Sequence, residues 1–208
     1  MAELQVPEPW SGDLEGAPVL FLSSNPSIST AEVYPRWEWA DEEIADFFGG
    51  RFGGGRRQWI KDGTKSLRPD GSYGRATAFW AAVRQRAIEL LQRDVRPGVD
   101  YALTEIVHCK SKSEIGVAAA RKRCVPRYLR RVLTSAAARV IVVLGKPAQQ
   151  AVQEEFNISA DALIHGPKAL CGRERMLAFL PHTNYRGART FAACLPAGKL
   201  EILRSFLS

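Results

Sequence analysis

Residues 140–152 read VIVVLGKPAQQAV, and this stretch decides the fold class. Val140, Ile141, Val142 and Val143 are β-branched and run without interruption into Leu144. Branched side chains suit a pleated strand. An unbroken apolar run, with no polar residue in alternate places, marks a strand covered on both faces. Gly145 stops the run. Pro147 then stands where a first helical turn tolerates proline, so a helix is expected over Pro147–Phe156. A buried strand feeding directly into a helix is the building unit of a parallel α/β sheet.

The same pattern extends outward on both sides. Val19–Leu22 is a short apolar run between Pro18 and Ser23 and reads as a second strand. Tyr101–Val107 and Arg175–Leu180 read as two more. Arg75–Asp94 carries Phe79, Val83, Ala87, Leu90 and Leu91 at helical spacing and is closed by Pro97-Gly98. Ile115–Leu133 is helical with a break expected near Pro126. Asp41–Phe48 and Lys199–Phe206 are short helices. The expected architecture is a single α/β domain over residues 1–208, a three-layer α/β/α sandwich around a central, mostly parallel four-stranded sheet. Residues 1–17 are rich in Pro, Glu and Gly and are expected to be a loose lead-in. Residues 31–72 interrupt the alternation with aromatic and basic residues. Loops are expected there at Gly49–Gly55 and Lys61–Gly71.

Lys and Arg number 29 against 22 Asp and Glu, a net charge of +7 over 208 residues. That balance favours a polyanionic partner such as DNA or RNA. The four cysteines, Cys109, Cys124, Cys171 and Cys194, contain no C-x-x-C pair, so no zinc site is expected. No run approaches the ~18 apolar residues of a membrane span. The first residues, Met-Ala-Glu-Leu-Gln, do not form a secretory signal. A cytoplasmic monomer with reduced thiols is expected, with no membrane partner.

Sites in parallel sheets form at the carboxyl ends of the strands. Four segments should converge there: Ser23 to Ser27, Glu105 to Lys112, Gly145 to Pro147, and Pro181 to Gly187. They offer an amide, an imidazole, a carboxyl and several cations. They lack the glycine-rich signatures of nucleotide triphosphate and dinucleotide binding and the G-x-S-x-G of acyl transfer.

These segments carry a family resemblance. VLFLSSNPS (19–27) resembles the first motif of the uracil-DNA glycosylase superfamily, in the form found in its mismatch-specific and single-strand-selective branches. DYALTEIVHCKSK (100–112) and ARVIVVLGKPAQQAV (138–152) resemble consecutive strands of its bacterial iron–sulfur branch. LPHTNYRG (180–187) is similar to its closing histidine motif, and GSYGRATAFW (71–80) to an aromatic stretch of the mismatch-specific branch. The motifs fall in the family order over residues 19–187.

The resemblance implies a metal-free DNA glycosylase that flips a base out of the duplex and hydrolyses its bond to deoxyribose, leaving an abasic site. Asn25 then positions water and His182 donates a hydrogen bond to the departing base. Glu105 and Ser24 fall on the side that reads the base. Tyr73, Phe47 and Phe48 are the candidates for stacking on it. Ser27, Lys110, Lys112, Lys146, Asn184, Tyr185 and Arg186 are the candidates for DNA contact, with Tyr185 and Arg186 in the wedge loop.

Two departures qualify the resemblance. Cys109 and Cys124 match two cluster ligands of the iron–sulfur branch, but residues 1–108 hold no cysteine. A cluster of the usual kind needs four thiolates, so no cofactor is expected and the cysteines are expected to be free and buried. Glu105 stands where that branch has an asparagine reading uracil. An ionised carboxylate only accepts hydrogen bonds, so the preferred base is expected to carry an exocyclic amine or a modification rather than to be uracil. Three other readings fit the same pattern. They are a relative that binds DNA or damaged bases without cutting, a small α/β domain for a nucleotide or anionic metabolite, and an RNA-directed enzyme.

Overall fold

In a computed structural model, residues 5–208 are described apart from Thr30, Gly54, Arg186, Ala188, Arg189 and Ala197. The chain runs β1 (Val19–Ser23), α1 (Asp41–Gly49), a small hairpin of β2 (Ile60–Lys61) and β3 (Lys65–Ser66), α2 (Ala78–Leu91) and β4 (Tyr101–Glu105). It continues through α3 (Val117–Cys124), α4 (Arg130–Ser135), β5 (Val140–Leu144), α5 (Lys146–Phe156), β6 (Ile164–Leu170), β7 (Arg173–Leu180) and α6 (Lys199–Leu207). The main sheet has the order β4-β1-β5-β7-β6. The first four strands are parallel and β6 is antiparallel to β7.

Alternate side chains of the parallel strands enter two separate cores. Leu20, Leu22, Ile141, Val143, Leu177 and Phe179 meet α3, α4 and α5. Val19, Phe21, Val140, Val142, Met176 and Ala178 meet α2 and α6 on the opposite face. This double burial is the physical reason for the unbroken apolar runs. The three-layer α/β expectation therefore holds, with five strands rather than four.

The added strand, β6, contains Gly166 and Pro167 and exposes residues 166–169. It lies at the sheet edge and carries a register shift between His165 and Lys168, where proline removes no needed donor. A two-residue turn, Cys171-Gly172, joins it to β7 with φ of 50° and 80°. Positive φ at both places suits a tight hairpin and favours glycine at the second.

The other departures have local causes. Pro126 does not end the helical stretch. It sits in a π-helical turn, Val125–Leu129, that joins α3 to α4, a device that absorbs an irregular residue without stopping the helix. Residues 5–17 are packed rather than loose. Ser11 exchanges backbone hydrogen bonds with Leu103 at 2.8 and 2.9 Å, and Glu8, Ser11, Leu14 and Ala17 are buried. Residues 31–72 build a third apolar cluster of Tyr34, Phe47, Phe48, Trp59 and Leu67, closed by Val6. Buried Arg175 on β7 donates to the carbonyls of Leu133 and Ala136 at 2.7 and 2.6 Å, satisfying the orphan acceptors at the end of α4. Among the described residues no helix is long and apolar enough to cross a membrane.

Candidate active site

Strand register brings the expected segments to one edge. Ser23 pairs with Glu105, and Leu144 with Leu180. The pairing continues past the strand ends. Ile106 N–H donates to the Ser23 carbonyl and Ser111 N–H to the Pro26 carbonyl, both at 3.0 Å, and Gly145 N–H donates to the Leu180 carbonyl at 2.9 Å. These bonds hold the turn after β1 and the turn after β7 at the mouth of one cleft of about 310 Å³. Asn25, His182, Glu105, Phe79, Trp80 and Asn184 are among its lining residues. Its volume lies at the lower end of small-ligand pockets, roughly 300–1,000 Å³.

Asn25 is half-buried. Its Nδ2 donates to the Pro26 carbonyl at 3.2 Å, which orients the amide and leaves Oδ1 to accept from water. His182 is stacked on Phe79, with ring centroids 5.5 Å apart and planes at 16°. Asn184 N–H donates to its Nδ1 at 3.3 Å, so a neutral ring carries its proton on Nε2. Burial, and then the Arg86 charge, hold its pKa below the ordinary histidine value, against a weaker opposing pull from Glu114. His182 therefore presents a neutral N–H donor near pH 7.

The cleft floor is a buried ionic network assembled from distant segments. Arg51, 2% exposed, pairs with Glu8, donates to Ser11 Oγ at 3.0 Å and lies 3.5 Å from Glu32. Lys110 Nζ is 3.0 Å from Glu32 and 3.8 Å from Glu8, and sits 3.5 Å from the centre of the Tyr34 ring. Burial pushes Glu8 up, but Arg51, Lys110 and the Ser11 and Tyr34 hydroxyls outweigh it and hold its pKa below the ordinary carboxyl value. Two carboxylates thus face two cations. Glu105 is the third carboxyl. Burial, then the charge of Glu8, push it well above the ordinary carboxyl range, over the pull of Arg51 and Lys110.

The structure brings Asn25, His182, Glu105, Ser27 and Asn184 together at the cleft. Other expected site residues lie elsewhere. Phe47 and Phe48 fill the third apolar cluster and cannot reach a ligand without unfolding it. Tyr73 donates its hydroxyl to the Gln58 carbonyl at 2.9 Å, with Lys61 Nζ 5.6 Å from the ring centre, and does not line the cleft. Phe79 and Trp80, six and seven residues further on, hold the aromatic places instead. Ser24 is buried outside the lining with an unpartnered hydroxyl. Lys110 is a buried ion-pair member rather than a phosphate grip. Lys112, Lys146 and Tyr185 are exposed outside the lining, and Arg186 lies outside the described residues.

All four cysteines are free. Cys109 is exposed and the other three are half-buried, against the expectation of burial. Among the described residues no group of three or more His, Cys, Asp or Glu is placed to hold a metal ion.

Residue reasoning missed Glu8, Glu32 and Arg51, because no local pattern marks an ion pair between segments far apart in sequence. No protein-family model matches this chain, and no curated protein matches it.

Proposed function

We propose that the chain is a monofunctional DNA glycosylase that hydrolyses the N-glycosidic bond of a flipped-out base. The observation that carries this reading is the convergence of Asn25 and His182, from the turns after β1 and β7, on one base-sized cleft. In the proposed reaction the base enters between these turns beside Phe79 and Trp80. The bond from C1′ to the base nitrogen breaks, and its electron pair leaves with the base. His182 Nε2–H donates to the base carbonyl that gathers the charge. Asn25 Oδ1 orients a water whose oxygen bonds to C1′ as the sugar gains oxocarbenium character. No residue of the site need act as a strong base, because the water's proton passes to the base anion that has taken the electron pair of the broken bond.

The electrostatics bear on the competing readings. The cleft lining contains Glu8, Glu32, Glu105 and Glu114, and among the described residues its lysine and arginine side chains, Arg51 and Lys110, are engaged by carboxylates. An anionic metabolite would need a free cation there, since Arg51 and Lys110 are already matched by carboxylates. A neutral base would not, with the DNA phosphates held outside the cleft near exposed Lys112 and Lys146.

Abasic-site formation on lesion-bearing oligonucleotides tests the reading, with Asn25→Ala and His182→Ala as controls. Release by wild type, lost in both variants, is expected, together with DNA binding that weakens steeply with salt. Binding without release would favour a non-catalytic relative. Release only from RNA would redirect the substrate class.

Gly145 supplies a second test. Its φ is 83°, and an added Cβ would lie 3.1 Å from the His182 Cβ. Gly145→Ala is expected to cost about 1–3 kcal/mol of stability in thermal denaturation. By displacing the imidazole it should slow base release about 100-fold. Normal turnover in a destabilised Gly145→Ala protein would detach His182 from the chemistry.

A further inference from the structure

Residues 117–135 contain Arg121, Lys122, Arg123, Arg127, Arg130 and Arg131, and no Asp or Glu. These six cations supply almost all of the net charge of +7, because removing them from the 29 Lys and Arg leaves 23 against 22 Asp and Glu. The excess is therefore local rather than spread over the surface. α3, the π-helical turn and α4 form one helical run through this segment, about 28 Å long at 1.5 Å per residue. Val117, Val125, Leu129, Val132 and Leu133 are buried in the core on that side of the sheet. Lys122, Arg123, Arg127, Arg130 and Arg131 are exposed.

Internal pairing removes little of this charge. Glu155 takes Arg130, and with Glu154 it borders a groove beside Lys122. Arg121 turns inward and donates to the Pro147 carbonyl and to Gln150 Oε1, both at 3.5 Å. Among the described residues, Arg123, Arg127 and Arg131 form no ion pair. They stand four residues apart. In an α-helix such a row drifts about 40° around the axis at each step. The π turn at Val125–Leu129 winds less per residue and offsets part of that drift, so the three positions share one stripe about 12 Å long. Like charges at this spacing destabilise a helix. Folding alone gives no reason for the row, whereas a polyanion would.

We propose that the exposed face of α3 and α4 is a duplex DNA-binding surface, with Arg123, Arg127 and Arg131 on backbone phosphates. It goes beyond the glycosylase reading and names a contact which that reading leaves unassigned. The cations of the cleft, Arg51 and Lys110, are engaged by carboxylates, so phosphates need cations outside it. The face begins at the cleft rim, where Glu114 lines the cleft and Gly116 caps α3. The stripe matches the rise of roughly three to four base pairs. The other exposed residues of this face are Ala118, Ala119, Pro126 and Thr134. It therefore offers no large apolar side chain to enter a bilayer, as a membrane-surface helix would.

Fluorescence anisotropy of a labelled DNA duplex, titrated with the full chain over a range of salt, tests the surface. Combining Arg123→Gln, Arg127→Gln and Arg131→Gln is expected to reduce the slope of log affinity on log salt by about 2.7, the value for three lost phosphate contacts, and to weaken low-salt binding on the order of 100-fold. Lysine at the same three positions should keep the slope. The three side chains are exposed, so thermal denaturation should be unchanged. A control combining Arg68→Gln, Arg173→Gln and Lys199→Gln removes as many exposed charges and should leave the slope near that of wild type. An equal fall in the control would reveal general attraction and overturn the inference. An unchanged slope in the arginine variant would overturn it too, as would a wild type that binds no duplex DNA, or stripe-dependent binding confined to duplex RNA or anionic vesicles. Base release is read separately. Stripe-dependent DNA binding without base release upholds the surface and removes the glycosylase reading, whereas base release with a stripe-independent slope does the reverse.

Discussion

Alanine in place of His182 is expected to slow base release by about 10²- to 10³-fold, the usual effect of removing one preorganised donor to a developing anion. The size follows from how firmly the donor is held. Asn184 N–H occupies Nδ1, Phe79 stacks on the ring face, and the tight approach at Gly145 limits where the Cβ can go. The ring therefore does not have to find its orientation as charge builds. The protonation state matters as well. Because burial and Arg86 depress its pKa, the neutral ring persists below the ordinary histidine range. The wild-type rate should therefore show no histidine inflection near pH 6.5. Folding should be little affected, since the lost ring contact is worth about 0.5–1.5 kcal/mol. Single-turnover base release and thermal denaturation on the same samples separate the two effects. Full-speed release by His182→Ala would place leaving-group stabilisation on another residue.

The parallel core was legible because its strands are covered on both sides, and chemistry that must exclude water on both faces writes continuous apolar runs. β6 was not, because an edge strand with a register shift tolerates His165, Gly166, Pro167 and Lys168 without any apolar pattern. The site divides along the same line. Asn25, Glu105 and His182 lie where strands end, and strand ends are readable from the runs that precede them. Lys110 also lies at a strand end, yet it is buried against Glu8 and Glu32, which arrive from other parts of the chain. Nothing near Lys110 announces those partners. The aromatic expectation fails for a related reason. Phe47 and Phe48 are adjacent on α1 and both face the cluster built by residues 31–72, whereas Phe79, in the first turn of α2, packs against the sheet-facing core and also lines the cleft. Side-chain identity does not separate a ring that closes a core from one that lines a cavity. The surroundings decide it, and here they are contributed by the insertion.

Arg51→Met is expected to destabilise the protein by about 3–5 kcal/mol in chemical denaturation, the range for removing one partner of a buried ionic pair. The substituted side chain is apolar and comparable in length, so little of the loss comes from an unfilled cavity. The loss comes from Glu8, which would remain buried with Ser11, Tyr34 and a more distant Lys110 in place of its direct partner. The double variant Arg51→Met with Glu8→Gln should recover much of the loss, because it withdraws the stranded charge while Lys110 keeps Glu32 at 3.0 Å. Recovery of that kind is non-additivity between contacting residues. It distinguishes an electrostatic cost from simple damage to packing. A single-variant cost of about 0–1 kcal/mol, as at an exposed pair, would refute the network as described.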